Sequence, residues 1–99
     1  MIPLNFSYHA LSDVDEAVAF YEGQQPGLGE RFRLAVESAA GLISAQPGIG
    51  GRVGRRQVRR LLVVRFPFSL VYAVRNRVAE VYAVPHHHAR TSNWLRRLP

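Results

Sequence analysis

The spacing of hydrophobic residues changes near the middle of this chain, and that change restricts the folds it can adopt. Before Pro47 the apolar positions follow the period of an α-helix, whereas after Gly54 they alternate along extended segments. A chain that pairs helical faces with alternating faces is typical of an α+β domain, in which helices pack on one side of an antiparallel sheet.

Two amphipathic helices are predicted in the first half. The first follows Ser12, a candidate N-cap, and ends at Gly23 and the Gln-Gln-Pro-Gly segment 24–27. The second runs from about Leu28 to Ala45, and the short linker makes the two helices antiparallel neighbours. The apolar positions of the first helix are Val14, Ala17, Val18 and Tyr21, and those of the second are Leu28, Phe32, Ala35, Val36, Ala39, Leu42 and Ile43.

Strands are predicted on both sides of the helical pair. Residues 5–8 alternate polar and aromatic side chains, and residues 58–66 form a longer extended run. Two further strands, Ser69–Val74 and Val78–Val84, are joined by a turn at 75–77. Both faces of these two strands are largely apolar, so we expect them in the middle of a sheet, with helices on one face and partial cover on the other. One side of the extended run is predicted to carry Val58, Arg60, Leu62, Val64 and Phe66.

The predicted fold class is therefore α+β with the order βααβββ. An N-terminal strand precedes a two-helix antiparallel hairpin that packs on a small, mainly antiparallel sheet, and a short helical turn within Ser92–Leu98 carries Trp94. The length of 99 residues suits one core, so we expect a single domain over residues 1–99.

Charge is unevenly distributed along the chain. The first 50 residues contain six acids and two arginines, whereas residues 51–99 contain eleven arginines and one acid, Glu80. All 13 basic residues are arginine, a side chain that suits carboxylates and phosphates. The segregation favours a polyanionic partner, either nucleic acid or an acidic protein segment, over a basic face that only keeps the protein in solution.

Several candidate site residues lie in the basic half. Arg59 and Arg60 must point to opposite faces of their strand, so one of them should pair with a helix carboxylate such as Glu37 or Glu16. The imidazoles of 86–88 lie near Arg90, where they could titrate or bind phosphate. The ring of Trp94, which is flanked by arginines, either stacks on a partner or docks the C-terminal segment onto the core. The basic cluster around the strand comprises Arg52, Arg55, Arg56, Arg59, Arg60 and Arg65.

Composition also excludes some functional classes. The chain has no Cys, so disulfides, thiolate nucleophiles and Cys-based zinc sites are absent. The run His86–His88 can turn only two imidazoles to one side, too few for a structural metal site, and no cofactor is expected. We find no signal peptide or apolar run long enough to span a membrane, and therefore expect a cytoplasmic protein without a membrane partner.

Three segments resemble the RelE/ParE superfamily of toxins, in its ParE-like branch. The stretch from Tyr21 to Phe32, with Gln-Pro-Gly-Leu-Gly at 25–29, resembles the helical hairpin of that family. The segment Val58–Tyr72, with Arg-Phe-Pro-Phe at 65–68, resembles its central strand pair. The ending from Ala83 to Trp94 is similar to the closing motif of the family, although Thr-Ser-Asn replaces the Pro and Tyr of many relatives.

The resemblance implies the toxin of a type II toxin–antitoxin module. The expected partners are a cognate antitoxin, which forms a hetero-oligomer with the toxin, and DNA gyrase. The toxin is expected to inhibit gyrase by binding, without catalysing a reaction. We expect the antitoxin's acidic tail to lie along the groove between the helical hairpin and the sheet. The residues expected to bind the target are Arg59, Arg60, Arg65, His87, Arg90 and Trp94.

The superfamily leaves two alternatives. A RelE-like toxin would cleave mRNA on the ribosome, with His87 or His88 as acid and base and Arg60, Arg65 and Arg90 as phosphate clamps. The chain could also be a non-toxic paralogue that only binds its antitoxin.

Overall fold

The computed structural model describes residues 1–54 and 57–98, so the predicted cluster members Arg55 and Arg56 lie outside the described residues. Five strands and three helices make up this part of the chain. The elements are β1 (Leu4–Phe6), α1 (Tyr8–Gln24), α2 (Leu28–Ala45), β2 (Gly51–Arg52), β3 (Arg59–Leu62), β4 (Ser69–Arg75), β5 (Val78–Ala83) and α3 (Ser92–Leu95). The α+β prediction is confirmed, with one short strand, β2, more than predicted.

The sheet has the strand order β1-β5-β4-β3-β2. β1 runs parallel to β5, and the other neighbours are antiparallel. The parallel pair is possible because α1 and α2 intervene in the chain and pack on one side, the helix face. The opposite side is called the open face and carries Arg60, Leu62, Ser69 and Val71. β4 lies at the centre of the sheet, as predicted, and its first five residues are buried.

The first helix begins earlier than predicted. Ser7, not Ser12, is its N-cap: the Ser7 hydroxyl accepts a hydrogen bond from the Ala10 N–H at 3.1 Å. The preceding strand is correspondingly shorter than the predicted run 5–8, because Tyr8 is already helical. The cap at Ser7 turns the chain directly from the sheet edge into α1, since the Ser7 N–H also donates to the Val81 carbonyl.

The two helices are held close at their linker. The Glu22 carboxylate accepts hydrogen bonds from the N–H groups of Gly27 and Gly29 at 2.9 and 3.0 Å. Gly27 has a φ of 89°, a left-handed conformation that glycine adopts without strain. A Cβ on Gly29 would lie 2.6 Å from the Val18 carbonyl, so this position needs a glycine for the helices to approach. α2 has the predicted bounds.

The helix face carries the main hydrophobic core. Phe32 of α2 is fully buried and contacts the rings of Tyr21, Phe66 and Phe68 at centroid distances of 5.0–5.4 Å. Burial raises the pKa of the Tyr21 hydroxyl above its usual value. Through this aromatic cluster the helical hairpin packs against the loop between β3 and β4.

That loop overturns part of the predicted alternation. β3 ends at Leu62, and Arg65 takes a left-handed φ of 72°, so the extended run does not continue to Phe66. Phe66 therefore packs on the helix face, not on the side of Val58 as predicted. The backbone turn reverses the side on which the aromatic residue lies. In the part of the chain that the structure describes, none of the helices is long and apolar enough to span a bilayer.

Candidate functional site

A groove of about 500 Å³ lies between α1 and the segment that follows β5. Its walls are mainly apolar and aromatic, with charged groups at the rim. The side chain of Phe20 is 61% exposed there, an unusual fraction for a large aromatic residue. The lining residues are Asp13, Glu16, Ala17, Phe20, Tyr21, Phe68, Val84, Pro85, His86, Ala89, Asn93, Trp94 and Arg97.

An ion pair between Asp13 and Arg97 forms one end of this groove. Asp13 Oδ2 accepts from Arg97 Nη1 at 2.6 Å and Oδ1 accepts from Nη2 at 3.3 Å. The Val84 N–H donates to the same carboxylate at 2.9 Å. Both side chains are about four-fifths buried, so the interaction is less screened than a surface pair. The pair ties the C-terminal segment to α1 and to the end of β5.

Trp94 packs inside the protein. It is 2% exposed and belongs to a second cluster on the open face, together with Val58, Val71, Ala73 and Ala83. Of the two interpretations of this ring, the docked one describes its position in the structure. A contribution of Trp94 to target binding would therefore act through the placement of the C-terminal segment.

Arg59 and Arg60 point to opposite faces, as predicted, but neither pairs with a helix carboxylate. Arg59 Nη1 donates to the Gly50 carbonyl at 2.7 Å, beside the Tyr72 hydroxyl, which accepts from the Gly50 N–H and donates to the Pro47 carbonyl. Within residues 1–54 and 57–98 the ion pairs involve Arg33 and Arg97. The predicted pairing with Glu37 or Glu16 is wrong, because a loop carbonyl satisfies the buried end of Arg59.

On the open face, Arg60 lines a shallow depression of about 540 Å³ beside Ser69. The Ser69 hydroxyl is 3.1 Å from His87 Nε2, and the His87 N–H donates to the Pro67 carbonyl at 2.8 Å. The sheet therefore brings the half-buried guanidinium of Arg60 close to the exposed imidazole of His87, which is held by the buried hydroxyl of Ser69. Such a set can bind a phosphate or a carboxylate.

His86, His88, Arg65 and Arg90 lie near the end of the sheet where β4 begins and β5 ends. His86 packs edge-on against Phe68, and His86 Nδ1 accepts from the His88 N–H at 3.0 Å. Arg65 and Arg90 are exposed, and the bond from His87 to Pro67 holds their two loops together. No group of three metal-ligating side chains occurs among the described residues; the expectation that the histidines hold no structural metal stays a prediction.

Sequence reasoning missed three residues that shape these surfaces. Asp13 and Arg97 are 84 positions apart, so no local spacing could join them. Ser69 has no distinguishing sequence context, and only the fold places its hydroxyl beside His87. The predicted set divides into the exposed Arg65, His87, His88 and Arg90, the half-buried Arg60 on the open face, and the inward-packed Arg59 and Trp94.

Comparisons with known proteins support the resemblance. Residues 4–90 match the family model described as the ParE toxin of type II toxin–antitoxin system, parDE. A solved chain from the chromosomal ParDE toxin–antitoxin system of P. aeruginosa is similar, with a TM-score of 0.65 and 21% identity over 87% of this chain and 96% of that chain. No curated protein matches the sequence. At this identity the structural likeness shows the shared fold, whereas the family match spans most of the chain.

Proposed function

Because the chain belongs to the ParE family, the toxins of type II toxin–antitoxin systems, we propose that it inhibits DNA gyrase without chemistry of its own. As the toxin of such a pair it has a cognate antitoxin. We further propose that it acts in the cytoplasm as a single domain over residues 1–99, and that the antitoxin neutralises it in a hetero-oligomer.

The groove between α1 and the C-terminal segment supports the antitoxin part of this proposal. It has room for several side chains, and Phe20 at its rim is left largely exposed. Asp13 at its end is neutralised by Arg97, so that Glu16 is the remaining acidic side chain of its lining. An antitoxin tail would place an apolar residue against Phe20 and Phe68 and its carboxylates near Arg90.

Antitoxin binding can be measured with single substitutions on α1 and α2. Phe20→Ala should weaken the antitoxin complex by roughly tenfold, because a buried aromatic anchor contributes on the order of 1–2 kcal/mol or more. Leu42→Ala is the matched control, since Leu42 is 45% exposed but lies on α2, outside the groove. Equal weakening by both variants would contradict binding in the groove.

The exposed arginines support the target-binding part. The hydrogen bond between His87 and Pro67 brings the loops of Arg65 and Arg90 to one end of the sheet, next to the open face with Arg60. Arginine is enriched among the residues that dominate protein interfaces. We therefore propose Arg60, Arg65, His87 and Arg90 as the target contact, with Arg59 and Trp94 positioning the strand and the C-terminal segment behind it.

A supercoiling assay with purified gyrase tests the target. Once separated from its antitoxin, the toxin should inhibit supercoiling, and Arg65→Glu/Arg90→Glu should abolish this inhibition. Since no proton is transferred, His88→Ala should keep it, and His87→Ala, which removes one uncharged contact, should keep most of it. After induction in cells, DNA synthesis should fall before protein synthesis. Unimpaired supercoiling with an excess of toxin would contradict the proposal.

The cluster of Arg60, Ser69 and His87 favours one alternative, a ribosome-dependent mRNA endonuclease. Its hydroxyl–imidazole contact of 3.1 Å could relay a proton, and Arg60, Arg65 and Arg90 could hold the phosphate. In that case His87→Ala would lower the cleavage rate by roughly 10²–10⁴-fold. Translation would stop first, with cut transcripts on ribosomes, so the same labelling experiment separates the two functions.

A further inference from the structure

The turn between β4 and β5 has an unusual composition for its geometry. Arg75 pairs with Val78, and the two residues between them, Asn76 and Arg77, have φ values of 52° and 61°. Positive φ at both central positions defines a type I′ turn, for which Asn-Gly is strongly preferred. Asn tolerates this conformation well, but Arg does not, because its Cβ crowds the neighbouring backbone.

The chain thus keeps an arginine where a glycine would be more stable. Elsewhere in the described residues Gly27 and Gly54 take the left-handed conformation, and so does one other exposed arginine, Arg65, which is among the proposed target contacts. The side chains of Arg75, Asn76 and Arg77 are all exposed, so packing does not explain the arginine. Strain retained at an exposed residue points to a function for its side chain.

The arginines of the turn have no ionic partner among the described residues, in which the ion pairs involve Arg33 and Arg97. Glu80, the single acid of the last 49 residues, is diagonal to Arg75 on β5, and the described residues form no ion pair with it within 4.0 Å. The positive charge of the turn is therefore directed to solvent.

We propose that this turn, Arg75 to Arg77, binds the phosphate backbone of a nucleic acid. Guanidinium and amide groups are the donors that commonly contact phosphate oxygens, and such contacts need no apolar surface. The tip itself consists of polar side chains, which suits a backbone contact better than an amphipathic antitoxin segment. It also lies at the opposite end of β5 from the groove, about 20 Å away for six strand residues. The proposal goes beyond gyrase inhibition and does not depend on it.

Salt-dependent binding to labelled oligonucleotides tests the surface. The purified chain should bind both a short duplex DNA and a single-stranded RNA of the same sequence at low salt. In Arg75→Gln/Arg77→Gln the slope of log affinity against log salt should become shallower by about 1.8 for the duplex and about 1.4 for the single strand. The control Arg31→Gln/Arg96→Gln removes the same charge from exposed sites elsewhere and should keep the wild-type slope.

The two probes distinguish the source of the phosphates. A slope change confined to the duplex assigns DNA, and a change confined to the single strand assigns RNA; the changes of about 1.8 and about 1.4 expected for two equal contacts would indicate recognition of the phosphates in either. Absence of binding at low salt, or equal slope changes in the test and control variants, would overturn the proposal. It would also be overturned if Arg75→Gln/Arg77→Gln weakened the antitoxin complex instead, because the turn would then bind an acidic peptide.

A single substitution tests the role of strain independently. Arg77→Gly should raise Tm by about 4 °C, since glycine relieves the left-handed strain, and should lower nucleic-acid affinity at the same time. A variant that gains stability and keeps its full affinity would contradict a binding role for Arg77. A fall in Tm would contradict the strain argument. Because neither readout involves gyrase, failure of this proposal is distinguishable from failure of the proposed target.

Discussion

The two faces of the sheet are covered in different ways. Two long helices close the helix face and bury an aromatic cluster around Phe32. A four-residue helix and one indole, that of Trp94, cover part of the open face and leave Arg60 and His87 accessible. The difference indicates that the helix face supplies most of the stability, and that the open face and its end are free to bind partners.

The largest effect is expected for the core of the helix face. Phe32→Ala should lower the free energy of unfolding by about 3–5 kcal/mol, because the removed ring leaves a cavity among three other aromatic rings. Leu34→Ala on the same helix, at a side chain that is 53% exposed, should cost less than about 1 kcal/mol. Urea titration of both variants measures the difference. Similar losses would show that the helix face is not the stabilising one.

Truncation on the open face should cost less. Trp94→Ala should lower the free energy of unfolding by about 2 kcal/mol, since the short C-terminal segment can detach without unfolding the sheet. Limited proteolysis should then cut the segment after Val84 while α1 and α2 stay intact. Global unfolding of this variant at the same denaturant concentration as Phe32→Ala would remove the distinction between the faces.

The ion pair between Asp13 and Arg97 joins α1 to the C-terminal segment, and its loss should lower the free energy of unfolding less than the two core truncations do. Asp13→Asn should cost about 1–2 kcal/mol, because it weakens a bidentate, largely buried interaction with Arg97. Asp15→Asn is the control: its carboxylate is 72% exposed and lies 3.8 Å from Arg33, so its loss should be close to zero. Thermal unfolding of the pair of variants measures both. Equal shifts in Tm would contradict a structural role for the Asp13–Arg97 pair.

The smallest expected effect is a pH dependence at Tyr21. Burial raises the pKa of its hydroxyl above 10.0 in the folded state, so the unfolded chain loses this proton first as pH rises. The associated stability is complete below pH 10 and decreases through the folded-state pKa. Above that pH, wild type should lose free energy of unfolding more steeply than Tyr21→Phe. If the free energy of unfolding fell in parallel with pH in wild type and Tyr21→Phe, a contribution of the Tyr21 hydroxyl would be contradicted.

The helices were predictable because their periodic apolar residues and the Pro and Gly at their ends are local signals. The bounds of α2 needed no information from the rest of the chain. The start of α1 was not predictable in this way, since Ser7 and Ser12 are both suitable caps and only the sheet edge selects Ser7. β2 has two residues, too few to show alternation.

The candidate site was predictable in residue type but not in arrangement. Charge segregation identified the arginines, yet the inward position of Arg59 depends on a loop carbonyl. The side of Phe66 depends on one left-handed residue, Arg65. The contacts of Asp13 with Arg97 and of Ser69 with His87 join distant segments, and no pattern within one segment encodes them.

The comparison of the two faces is tested most directly by measuring toxicity and stability in the same variants. Arg65→Glu/Arg90→Glu should abolish growth inhibition on induction while keeping Tm within about 2 °C of wild type, because both side chains are exposed. Leu34→Glu, at an exposed position on α2, should leave toxicity intact. If toxicity follows Tm across these variants, or if Leu34→Glu abolishes toxicity and the arginine variant keeps it, the assignment of binding to the open face and its end is contradicted.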